Sequence, residues 1–139
     1  MRASSHKLAD AVAGRLGPVL PPPLGVGAAG TSINLHCDGL GLDSCSDAAT
    51  IVEDEDGRSF GDRLETAVLA MMDGVQDCVM RELRIQWPFE ADGAFAEPGA
   101  RAGHDRLHLW FGRSEHDPAI RMDPIAFTEF CIGGSPARP

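Results

Sequence analysis

The chain has no tyrosine and a single lysine, Lys7, among 12 basic residues in 139. Arginine supplies the rest, a usage like that of a high-GC bacterial genome. Basic runs are also missing, and the formal net charge is −9. Phosphates would repel such a surface, so nucleic acid and anionic bilayers are excluded as expected partners. No apolar run approaches the ~18 residues that span a bilayer. The apolar stretch after Met1-Arg2-Ala3-Ser4-Ser5-His6-Lys7 is broken by Asp10 and Arg15, which an export signal does not tolerate. A cytoplasmic location is therefore expected, with Cys37, Cys45, Cys78 and Cys131 as reduced thiols.

What is present suits a folded body with long loops. Hydrophobic residues make up 43% of the chain, and glycine and proline together about 19%, short of the ~25–30% of low-complexity chains. The length suits one domain, expected over residues 1–132, with a flexible C-terminal tail over 133–139.

Leu8, Ala11, Val12 and Leu16 recur at helical spacing, which predicts a short amphipathic helix from Ser5 to Leu16. Ser4 or Ser5 is its cap and Gly17-Pro18 its stop. Pro21-Pro22-Pro23 then enforces an extended segment. Leu24–Ala29 and Ser32–Cys37 read as a hairpin, the second run alternating Ile33, Leu35 and Cys37 with polar neighbours. Asp38–Asp47 reads as a loop and Ala48–Glu53 as a third strand, followed by the acidic run from Glu53 to Asp56.

The clearest element starts at Ser59, where Phe60, Leu64, Ala67, Val68, Met71, Val75, Cys78 and Val79 follow a helical period. Helix to about Gln86 is expected, about 28 residues or 42 Å, long enough to cross a sheet or reach another subunit. Cys78 sits on its apolar face as core. Gly74 at mid-helix marks a kink or the close approach of another backbone. Short strands are expected at Ala94–Glu97, Arg106–Phe111 and Ala119–Met122, while Ile125–Ile132 fits strand or helix. The fold class is α+β: an antiparallel sheet of five to six short strands packed on one long central helix, plus a short N-terminal helix.

Several motifs dissolve on inspection. Gly25-Val26-Gly27-Ala28-Ala29-Gly30 spells the dinucleotide pattern, but prolines precede it and a strand follows, so no helix N-terminus meets a pyrophosphate. The acidic run lacks the carboxylates that an EF-hand needs at its first and last positions, where Val52 and Arg63 stand. For a metal, Cys37, Cys45, His104 and His108 are the weak candidates. Their spacings match no common zinc pattern, and His104 and His108 would lie about 13 Å apart along a strand. Cys37 beside His36 suggests a thiol nucleophile, yet neighbours on a strand point to opposite faces. No cofactor is implied.

Trp87, Phe89 and Trp110 fall at a helix end, in a loop and on a strand's outward face, and they either cap the core edge or form an interface. The order of elements and the acidic charge resemble the small dimeric chaperones of bacterial secretion systems, a likeness of architecture carried by no residue motif. The expected function is a non-catalytic adaptor or chaperone-like module. It would bind another protein, or a second copy of itself as a homodimer, through Trp87, Phe89, Trp110 and the helix face at Gly74. The alternative is a thiol- or metal-dependent enzyme using Cys37, Cys45 and a histidine.

Overall fold

A computed structural model describes residues 2–54 and 56–132; the tail expected over 133–139 lies outside them. In chain order the elements are β1 (Arg2–Ala3), α1 (Ser5–Leu16), β2 (Leu24–Ala29), β3 (Ser32–Cys37), β4 (Leu40–Ser46), α2 (Phe60–Leu83), β5 (Pro98–Ala102), β6 (Arg106–Phe111), β7 (Ile120–Arg121), β8 (Ile125–Ala126) and β9 (Cys131–Ile132). Short 3-10 turns occupy Gly17–Val19, Ala48–Glu53 and Phe127–Glu129. The fold is α+β, with one long helix, a short N-terminal helix and, among the described residues, only antiparallel pairing. The strands are divided among three sheets rather than gathered in one: β1–β9, β2–β3–β4, and β5–β6 extended by β7 and β8.

Helix α1 forms where its periodicity places it. Ser4 caps it by accepting the Lys7 N–H at 3.2 Å, and Leu8, Val12 and Leu16 are fully buried. Helix α2 begins behind Ser59, whose hydroxyl accepts the Asp62 N–H at 3.1 Å. It closes earlier than the Trp87-Pro88 signal suggests, because Arg84 turns left-handed (φ 57°) and returns its N–H to Met80 at 2.8 Å. At 24 residues it is about 36 Å long. Its buried residues, Leu64 through Val79, cover about half of its circumference at ~100° per residue, because β3 and β4 pack on it from one side and β5 from another. They join Ile33 and Leu35 of β3 and Leu107, Leu109 and Phe111 of β6 in one apolar core.

Three local expectations are corrected and one left open is resolved. Residues 38–47 are not a loop: Asp38 and Gly39, both at positive φ (52° and 82°), make a two-residue reversal, and β4 follows it. Ala48–Glu53 is a 3-10 helix and no strand, since Ala49 and Val52, three apart and buried, stack on one side of a three-residue turn. Ala94–Glu97 contributes only a bridge between Phe95 and Phe89. The strand is Pro98–Ala102, which starts on a proline, a position where the missing N–H is tolerated. The ambiguous segment Ile125–Ile132 is two short strands around a 3-10 turn, and β9 returns to pair with β1.

Candidate functional site

A cleft of about 470 Å³ opens between the loop after α2 and the β6–β7 connection, lined among others by Phe89, Glu90, Asp92, Arg113, Asp117 and Pro118. A tight reversal at Glu90–Gly93 shapes one wall: the Glu90 N–H donates to Ala94 at 2.6 Å and the Gly93 N–H to Glu90 at 2.9 Å. Glu90 is 9% exposed, and its carboxylate accepts the Arg113 backbone N–H at 2.6 Å, tying the walls together. Arg113 donates to Asp92 at 2.7 Å, which with the Ala94 N–H holds the Asp92 carboxyl below its usual value. Two carboxylates, Glu90 and Asp92, thus engage the Arg113 guanidinium, and a third, Asp117, lines the same cleft. Phe89 stands at the rim 49% exposed, an apolar ring beside negative charge.

The other aromatic candidates are placed differently. Trp87 packs on the buried Phe111 ring, centroids 5.2 Å apart, and serves the core edge. Trp110 lies on the outward face of β6 as the alternation predicts. Its ring crosses Gly99, its register partner on β5, where a side chain would collide with it, and its indole N–H donates to Gly112 at 3.2 Å. Gly74 is approached by the chain's own β4: a Cβ there would strike the Cys45 carbonyl and meet Ser46 Cβ at 3.0 Å.

The thiol and metal candidates do not assemble. Cys37 is opposite Leu40 at one end of the β3–β4 ladder, and Cys45 is five residues further along β4, about 16 Å away at ~3.3 Å per residue. His36 lies against Gly25. His108 belongs to β6 and His104 to the turn before it, in another sheet. Among the described residues, no group of three or more His, Cys, Asp and Glu is placed to hold a metal ion.

Instead the fold brings Cys45 to Cys78, a pairing the sequence reading missed by assigning Cys78 to the core alone. Cys78 is 3% exposed and its thiol adjoins that of Cys45; burial first, then this neighbouring thiol, pushes the Cys45 thiol well up. Asp43 Oδ2 lies 4.0 Å from Cys78 Sγ and Arg81 Nη2 lies 3.4 Å from it, and Asp43 and Arg81 are themselves ion-paired.

Exposed large apolar side chains are Leu40 (72%) and Leu42 on β4, Ile85, and Phe89. Among the described residues β4 pairs only with β3, and no strand pairs with its other edge. No helix among the described residues is long and apolar enough to cross a membrane. No protein-family model, curated protein or solved structure matches the chain.

Proposed function

We propose that the protein is a non-catalytic interaction module, adaptor or chaperone-like, that receives a positively charged segment of another protein in the Phe89 cleft. The observation that carries this reading is the pairing of an exposed phenylalanine with an excess of carboxylates at one concave cleft. A guanidinium or ammonium group entering the cleft gains Asp117 and shares Asp92, and its aliphatic stem covers the Phe89 ring. The net charge of −9 adds long-range attraction for such a partner.

Calorimetric titration of the protein with a short arginine- and leucine-containing peptide tests this, with a glutamate-containing peptide of the same length as control. Binding is expected for the basic peptide alone, weakening with salt and falling several-fold in Phe89→Ala. Equal binding of the two peptides, or a Phe89→Ala protein that binds as before, overturns the reading. Self-association is read separately by light scattering, where a homodimer gives twice the 14.8 kDa of the chain.

A further inference from the structure

We propose that Cys45 and Cys78 form an intramolecular disulfide when the protein meets a disulfide or peroxide oxidant, and that this bond fastens the edge strand β4 to helix α2. The inference starts from the seam between the two elements. Gly74, Cys78 and Arg81 lie at i, i+4 and i+7, one stripe along α2. β4 crosses that stripe: the Cys45 carbonyl occupies the space at Gly74, and Asp43 pairs with Arg81.

The strand is irregular where it matters. Asn34 is opposite Ser44 and Ile33 opposite Ser46, so Cys45 is the unpaired residue of a bulge. Asp43 and Cys45, two apart on the strand, share the face turned to α2: Asp43 Oδ2 lies 4.0 Å from Cys78 Sγ and the Cys45 thiol adjoins it.

The two sulfurs differ in access. Cys45 is half-buried and Cys78 almost fully covered, so an oxidant reaches Cys45 first, and slowly, because burial keeps its thiolate scarce. With oxidised glutathione, the Cys45 thiolate attacks one glutathione sulfur and releases one glutathione thiolate. Cys78 then loses its proton and attacks the Cys45 sulfur of the mixed disulfide, expelling the second glutathione thiolate. Two protein S–H bonds are lost, one S–S bond forms, and the two electrons leave in two glutathione thiols. With peroxide, a sulfenic acid forms at Cys45 and its oxygen leaves as water. Arg81 Nη2 stands 3.4 Å from Cys78 Sγ on the solvent side of the seam. Cys37 and Cys131 lie elsewhere, in β3 and β9, and take no part.

The test is disulfide mapping on the native full chain after exposure to oxidised glutathione, with free thiols blocked before non-reducing digestion and mass spectrometry. The expected product is a Cys45–Cys78 linked peptide, two hydrogens lighter than the free pair. It should be accompanied by a melting temperature raised by about 5 °C or more, as closure of a long loop implies, and dithiothreitol should reverse both. Cys37→Ser should keep the link and Cys78→Ser should lose it. Glutathione left on Cys45 with Cys78 still free overturns the proposal, as does a link from Cys45 to Cys37. So does finding Cys45 and Cys78 both reduced while Cys37 or Cys131 is oxidised.

Discussion

The backbone carbonyl of Cys45 rests against Gly74 in the space where a side chain would begin. The position is a glycine because a strand must lie directly on the helix. Gly74→Ala gains helix propensity, about 1 kcal/mol, but drives a methyl into a backbone that is also anchored by the Asp43–Arg81 ion pair. Overpacking of this kind costs about 1–3 kcal/mol, and with backbone rather than a flexible side chain as the obstacle the cost wins. Chemical denaturation should show a net loss of about 1–2 kcal/mol. Because the contact is within the chain, the melting temperature should fall equally at low and high protein concentration. A variant that melts higher would mean that β4 does not lie on this face.

Ser5, the first residue of α1, gives both its backbone N–H and its hydroxyl to the Glu53 carboxylate, the N–H at 3.0 Å. These two bonds, followed by the charges of His6 and Arg2, hold the Glu53 carboxyl below the ordinary value of 4.5. A lowered folded pKa means that the stabilisation is complete above about pH 4.5 and disappears as pH falls through the folded value. Glu53→Gln keeps the shape and loses the charge at a helix N-terminus. Since the carboxylate is solvent-exposed, the loss at pH 7 should be about 1 kcal/mol. Stability measured from pH 7 to 3 should then decline less steeply in the variant than in the parent; parallel curves would mean that Glu53 does not carry the acid sensitivity.

Where patterns are local and strong, the sequence read correctly. α1, the hairpin Leu24–Ala29 with Ser32–Cys37, and β6 have the boundaries that periodicity assigns. β4 was missed because Leu40-Gly-Leu-Asp-Ser-Cys-Ser is poor in strand formers. What makes it a strand is pairing with β3 and support from α2, while its one local signal, Asp38-Gly39 as a reversal, was absorbed into a loop. The meeting of Cys45 and Cys78 was invisible for a deeper reason. It depends on how a strand crosses a helix more than 30 positions away, and neither periodicity nor spacing encodes that. The Phe89 cleft was half legible: the aromatic was singled out, but the carboxylates around it come from Glu90, Asp92 and Asp117 on two separate loops.

Burial, reinforced by the adjoining Cys78 thiol, raises the Cys45 pKa. A raised value leaves less thiolate at any pH below it, and only the thiolate is nucleophilic. Iodoacetamide should therefore alkylate Cys45 at pH 8 at least tenfold more slowly in the native protein than in urea, with rates resolved by peptide mass spectrometry. Cys78→Ala removes the second cause of the shift and should speed alkylation of Cys45. If native and unfolded rates agree, the thiol is not shielded as the packing requires.

Trp87 and Trp110 are the only tryptophans, and their surroundings assign them opposite parts. Trp87 covers the buried Phe111 ring, so Trp87→Ala opens the core edge and should cost about 2–3 kcal/mol, less than a fully buried tryptophan because the ring is partly exposed. Trp110 lies outside the sheet across Gly99 and is fastened by its bond to Gly112. The next residue is Arg113, whose N–H holds Glu90 in the cleft wall. Trp110→Ala should cost about 1 kcal/mol of stability, yet it frees the segment that positions Arg113 and should weaken binding of the basic peptide by several-fold. Thermal melts followed by circular dichroism, together with peptide calorimetry, separate the two effects. A Trp110→Ala protein that binds normally would cut the link between this face and the cleft. One as unstable as Trp87→Ala would instead make Trp110 part of the core.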